Sequence, residues 1–174
     1  MAQILPFEGQ LPRIDPTAYI AESAVIIGKV TIGANANIWP NAVIRGDENS
    51  ITIGNNVSIQ DNCTIHTEPD QPVTIGDNTL IGHNTIVHCQ TIGKGCLIGM
   101  GSILMNYTTV GDETIIGAGT VVTQHKTIPP HSMVYGTPFR IVRSLTEEEA
   151  ADVYRQTEEY AALGQKHKHL QKED

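Results

Sequence analysis

The sequence predicts an all-β solenoid, a triangular prism of short parallel strands, followed by one C-terminal α-helix. Three observations carry this. Ile occurs 22 times against 8 Leu, and Ile, Val and Thr together make 52 of the 174 residues, a β-branched bias that favours pleated strands over a Leu-rich bundle. Aromatic residues are 5% and charged residues 17% of the chain, so the core has to be built from small and medium aliphatic groups. An aliphatic residue also recurs every six positions from Ile20 to Val122, a period that neither an amphipathic helix nor a simple hairpin produces.

The repeat runs through Ile20, Ile26, Ile32, Ile38 and Ile44, then Ile53, Ile59 and Ile65, then Ile75, Ile81 and Val87. It resumes one residue early at Ile92, Ile98, Leu104, Val110, Ile116 and Val122, and 13 of these 17 sites are Ile. Gly often follows, as at Gly33, Gly54, Gly76, Gly82, Gly93 and Gly99, and the fourth position after is mostly small, as at Ala36, Cys63, Thr85 and Ser102. Each hexad reads as a strand plus a corner, and three hexads make a coil. Coils then stack roughly 4.8 Å apart, and the 17 hexads give about six of them. The pattern resembles the left-handed parallel β-helix of hexapeptide repeats. Its left hand comes from that resemblance, since ordinary crossover connections are right-handed.

In chain order, residues 1–19 form an N-terminal segment, 20–125 the β-helix, 126–143 a Pro/Gly-containing connector and 144–174 a helix with a polar tail. Three extra residues around Arg45-Gly46-Asp47-Glu48 and four around His66-Thr67-Glu68-Pro69-Asp70 interrupt the repeat; insertions in a solenoid map to surface loops. Thr146-Glu147-Glu148-Glu149 reads as a capping box with an acidic first turn. Ala150, Val153, Thr157, Tyr160, Ala161 and Gly164 follow at helical spacing and predict a stripe packed on the prism or on a neighbour. The tail from Gln165 is expected to fray.

The formal net charge is −8, and no basic patch offers itself to nucleic acid or to an anionic membrane. The N-terminus lacks a basic start followed by an apolar run, and no window reaches spanning length, so a cytoplasmic protein is expected. Cys63, Cys89 and Cys96 are odd in number and lack C-x-x-C spacing, which fits a reducing compartment and small buried hydrophobes.

Chemistry concentrates in the histidines. Once the four-residue insertion is discounted, His66 and His88 are one 18-residue coil apart, and each directly follows a core aliphatic, so they stack on one face. His83 follows Ile81 by two and lies on a different face. A single chain therefore holds an incomplete set, which His83 of a neighbour completes if three prisms associate around an axis. The same counting stacks Arg45 beneath His66 and Asp61 beneath His83, with Gln60 beside it and Asp47 close by. Three neutral imidazoles with an open fourth position form the catalytic pattern for Zn²⁺, and Asp61 or Gln60 can serve as acceptors behind a ligand. Fe²⁺ or Co²⁺ fits the same donors. His125, His131, His167 and His169 read as solvated.

The run Ile38-Trp39-Pro40-Asn41-Ala42-Val43-Ile44-Arg45-Gly46-Asp47, with Gln60-Asp61, Ile65-His66, Ile81-Gly82-His83 and Val87-His88, resembles the γ-class carbonic anhydrase-like group of hexapeptide-repeat proteins from about Asp15 to the C-terminal helix. The resemblance implies a homotrimer with interfacial metal, bound by His66 and His88 of one subunit and His83 of the next. It implies an Arg45–Asp47 ion pair at the interface, Gln60 hydrogen-bonding the metal-bound hydroxide or CO2, Asp61 orienting nearby groups, and reversible hydration of CO2 to bicarbonate. Glu68, in a short loop, is a candidate proton shuttle. Where the group suggests His-Gly-Cys, this chain reads His88-Cys89-Gln90, and Asn106-Tyr107 replaces a more usual Asp-Gly pair. Cys89 reads as a steric substitute for Gly, with a soft ligand or redox gate as alternatives. A metal-dependent thioesterase or other hydrolase, a non-catalytic metal-binding trimeric scaffold and a hexapeptide acyltransferase remain competing functions.

Overall fold

The computed structural model describes residues 2–171. The short strands wind into a parallel β-solenoid of about seven turns, with one helix laid along it. One face is an eight-stranded sheet that contains Tyr19–Ile20, Asn37–Ile38, Ser58–Ile59, Leu80–Ile81, Leu97–Ile98 and Ile115–Ile116. The other two faces form one twelve-stranded sheet, because the strands Val25–Ile32 and Val43–Ile53 run unbroken around a corner. Strands of successive coils pair in parallel, as in Ile59 beside Ile81 and Ile65 beside Val87, whereas Ser132–Tyr135 and Arg140–Ser144 end the eight-stranded sheet as an antiparallel pair.

The six-residue period is the core. Ile26, Ile38, Ile44, Ile59, Ile65, Ile81, Ile92, Ile98 and Ile116 are wholly buried, as are Ala24, Ala36, Ala42, Val57 and Cys63. Ile20, near the open end, is only partly buried. Threonine is tolerated at the small inward position because its hydroxyl reaches a carbonyl of the coil above. Thr79 Oγ1 donates to Gly93 O at 2.8 Å, and Thr85 Oγ1 donates to Gly99 O at 3.2 Å.

Three features depart from the sequence expectation. The solenoid extends past 20–125 at both ends: Arg13–Ile14 pairs with Thr31–Ile32, Thr127–Ile128 with Thr109–Val110, and Met133–Val134 with Ile115–Ile116. Pro129 and Pro130 sit at a corner, where no ladder N–H is needed. The extra residues around Arg45–Glu48 form no separate loop. They lie inside the strand Val43–Ile53, whose excess length is absorbed by a register shift between Gly28 and Val30 of its partner, the geometry of a β-bulge. The four-residue insertion after His66 is a loop, closed by a Glu68–Gln71 bridge.

The third departure is the tail. The helix runs from Glu147 to Leu170 behind a Thr146–Glu149 capping box, so 165–170 continue it instead of fraying. Gln165 Nε2 donates to Thr17 O at 2.7 Å, and Lys168 Nζ donates to Ala18 O at 2.9 Å. Ala150, Val153, Thr157 and Gly164 are buried against the prism of the same chain. The His167 ring stands 5.1 Å from Trp39 and 5.7 Å from Tyr19, part of an aromatic anchor and not simply a solvated side chain. Residues 1 and 172–174, the latter the end of the tail expected to fray, lie outside the described residues. No helix among the described residues is long and apolar enough to cross a membrane.

Candidate metal centre

The site follows from coil registry. Arg45 and His66 are paired neighbours on adjacent coils, and pairing of Ile65 with Val87 puts His88 one coil further on the same face. His66 Nδ1 and His88 Nε2 converge to 3.0 Å. The two outer ring nitrogens face acceptors: His66 Nε2 lies 3.1 Å from Asp47 Oδ1, and His88 Nδ1 lies 3.1 Å from Asn106 Oδ1. Arg45 in turn donates to Asp47 Oδ2 at 2.7 Å. Burial pushes the Asp47 carboxyl up, but the hydrogen bonds from Arg45 and His66 outweigh it and hold the group below its ordinary range.

These partners determine the tautomers. A carboxylate only accepts, and the Asn106 amide nitrogen is already engaged with Glu68 Oε1, so the outer ring nitrogens carry the protons. In the neutral forms of both rings the two inner lone pairs then face each other. Such an arrangement calls for a cation. Two nitrogens bound to one tetrahedral zinc at about 2.0–2.1 Å stand roughly 3.3–3.4 Å apart, so an opening of a few tenths of an ångström seats the ion. An acceptor behind each ring is the usual support of a metal-binding histidine. The residues therefore fit a divalent metal.

His83 lies on the other face, in the turn after Leu80–Ile81, with its Nδ1 held 2.9 Å from Asp61 Oδ2 and its side chain 40% exposed. Gln60 is buried beside it, and both line an open cleft of about 480 Å³ shared with Met100, Tyr135 and Tyr160. The structure thus brings together Arg45, Asp47, His66, His88 and Glu68 at one place, and Gln60, Asp61 and His83 at another. Among the described residues, no three His, Cys, Asp or Glu side chains of the single chain form a ready cation cluster. Asn106 belongs to the first group although the sequence reading gave it no role. Its spacing of 18 residues from His88 was the available signal. Cys89 is wholly buried in the prism, so it is a small core residue and not a ligand.

A prism of hexapeptide repeats carrying a stacked, acceptor-backed histidine pair defines the class of protein. Residues 12–46 and 91–124 match the family described as bacterial transferase hexapeptide (six repeats), and residues 72–106 match the hexapeptide repeat of succinyl-transferase; these matches carry the left hand of the helix. A carbonic anhydrase of Geobacillus kaustophilus is 42% identical over 170 residues, spanning 98% of this chain and 93% of its own. Gamma carbonic anhydrase 1 of Arabidopsis thaliana, a mitochondrial protein, is 36% identical over 90% of this chain and 59% of its own. The crystal structure of a hexapeptide transferase family protein from Anaplasma phagocytophilum superposes with a TM-score of 0.89 at 38% identity, covering 94% of this chain and 96% of that one. The chain belongs to the γ-class carbonic anhydrase-like family of hexapeptide-repeat proteins.

Proposed function

We propose that the protein is a metalloenzyme that interconverts CO2 and bicarbonate at a site shared between subunits of a homotrimer. The observation that carries this reading is the pair of inward ring nitrogens, His66 Nδ1 and His88 Nε2, 3.0 Å apart with an acceptor behind each ring. When bound, a divalent metal such as Zn²⁺, with Fe²⁺ or Co²⁺ as alternatives, acts as a Lewis acid that makes the ionisation of water accessible near neutral pH.

The chain's own residues supply the rest. His66 and His88 of one subunit and His83 of the next hold the ion. Asp47 keeps the proton of His66 on Nε2, and Arg45 keeps Asp47 ionised and in place. Asp61 performs the same service for His83, whose other ring nitrogen is left to reach a neighbouring prism. Gln60, buried in the lining of the cleft beside His83, hydrogen-bonds an oxygen of the substrate. Acyl transfer by one general-base histidine, the reading suggested by the transferase-named relative, leaves the facing lone pairs and the Arg45–Asp47 pair without a role.

Two measurements test the reading. Metal content after chelator-free purification is expected to approach one ion per chain. Stopped-flow CO2 hydration is expected to exceed buffer for the wild type and to vanish for His88→Ala. A metal-loaded, folded wild type with no rate above buffer refutes CO2 hydration, and a folded chain with negligible zinc affinity refutes every metal-enzyme reading.

A further inference from the structure

We infer that Asn106 is a positioning residue for His88, oriented in turn by Glu68, and that Tyr107 locks the loop carrying Glu68. The inference rests on the metal-site reading above and concerns what selects the nitrogen through which His88 binds. An amide side chain can offer either its oxygen or its nitrogen to a neighbouring imidazole. Here Asn106 Nδ2 donates to Glu68 Oε1, and a carboxylate cannot return a proton. The amide oxygen is thereby turned towards His88 Nδ1, at 3.1 Å. That fixes the proton on Nδ1 and leaves the Nε2 lone pair facing His66. Were the amide reversed, its nitrogen would donate to Nδ1 and the ring proton would move to Nε2, the position the metal needs.

Glu68 acts through Asn106 because its own oxygen lies 3.8 Å from His88 Nδ1, too far for a direct hydrogen bond. It is also held in place. Thr67 and Gln71 on either side are buried, Gln71 Nε2 donates to His88 O at 3.1 Å, and Gln71 Oε1 accepts from Tyr107 N. The Tyr107 hydroxyl donates to Asp70 Oδ1 at 2.9 Å, and its ring stacks on His125 at 4.7 Å and 6°. Tyr107 holds a φ of +56°, a conformation that disfavours a bulky residue and that these contacts hold in place. A carboxylate clamped on both sides orients Asn106; a swinging proton carrier needs freedom that this loop lacks.

The test is the zinc affinity of the holoprotein, read by chelator competition for wild type, Asn106→Leu, Glu68→Ala and Glu68→Gln. Asn106→Leu and Glu68→Ala are expected to weaken zinc by roughly 10–100-fold, whereas Glu68→Gln, whose amide oxygen still accepts from Asn106, is expected to stay near wild type. Folded Asn106→Leu and Glu68→Ala proteins that bind zinc as tightly as wild type overturn the inference while leaving the metal site standing. A wild type without zinc affinity overturns both. A measurement without variants guards against misfolding: imidazole ¹⁵N shifts of the zinc-loaded wild type are expected to show His88 bound through Nε2 with its proton on Nδ1. Binding through Nδ1 overturns the inference.

Discussion

Replacing Gly82 with alanine probes how closely the coil carrying His83 is stacked on the next. An added Cβ would stand 2.8 Å from Met100 N and 3.0 Å from Ile98 O, where ordinary contact begins at 3.4 Å. Both obstructing atoms are backbone, and Gly82 N is itself tied to Ile98 O by a 2.8 Å hydrogen bond. No rotamer change relieves the clash, so the coils have to separate locally. Overpacking of this kind costs about 1–3 kcal/mol, offset by about 0.4–1 kcal/mol because alanine has less freedom to lose from the unfolded chain. At the midpoints of these ranges the net loss is about 1.3 kcal/mol, which lowers Tm by roughly 3–5 °C for a chain of this size. Thermal unfolding followed by circular dichroism reads it. Gly119→Asn is the comparison: Gly119 has a φ of +69° and nothing within 4 Å of its would-be Cβ, and Asn41, Asn62 and Asn84 already hold such left-handed corners. It is expected to melt at or above wild type. A Gly82→Ala protein that melts no lower than wild type refutes the close-stacking argument.

Three further outcomes follow from burial and charge. Burial pushes the thiols of Cys63, Cys89 and Cys96 up to about 11, 12 and 12. None should react with a thiol reagent before denaturation, and stability should fall as pH rises above about 9, where only the unfolded thiols ionise. Hydrogen bonds from the Arg143 side chain and the Thr146 backbone hold Glu149 down at about 2. Its contribution to anchoring the helix is complete above pH 4.5 and lost as pH falls towards 2, so Glu149→Gln should flatten the acid limb of the stability profile measured by urea unfolding. Ile59→Ala empties a wholly buried position and should cost about 2–5 kcal/mol in the same assay.

The fold was legible because geometry dictates the repeat directly. An inward Ile every sixth residue and a glycine where the next coil's backbone approaches are requirements of stacking, and counting in coil lengths placed His66 beside Arg45 and separated His83 from the pair. What escaped has identifiable causes. Ile14, Ile128 and Val134 continue the same period, but Pro129, Pro130 and Gly136 look like a break, and prolines at a corner do not interrupt a ladder. The run Arg45–Glu48 carries no local sign that it stays in a strand; the sign is in its partner, at the register shift beside Gly28. The polar residues 165–169 look unanchored until Gln165 and Lys168 find the carbonyls of Thr17 and Ala18 across the fold. Asn106 stands out in the sequence only as a departure from an Asp-Gly pair, because a neutral amide signals no chemistry until its partners, His88 and Glu68, are known.

The same registry bears on assembly. Along the face of the site, Ile27 neighbours Arg45 and Arg45 neighbours His66; pairing of Val87 with Leu104 then brings Met105 beside His88. The row therefore offers two imidazoles bounded by a cation and a thioether, and stacking within one chain supplies no third ring. His83 sits in the other sheet's register with an exposed ring. If a second copy supplies it, two variants that each lack a different ligand complement one another. His83→Ala keeps the pair, His88→Ala keeps His83, and neither variant by itself holds a full set. Co-expression of the two, differently tagged and purified through both tags, creates interfaces where the pair of one subunit meets His83 of the other. High-affinity zinc binding, absent from each variant alone, is then expected in the mixed assemblies at a fraction of the wild-type stoichiometry. Mixed assemblies that bind no more zinc than their parents would place all three ligands in one chain or none, and with that the shared site falls.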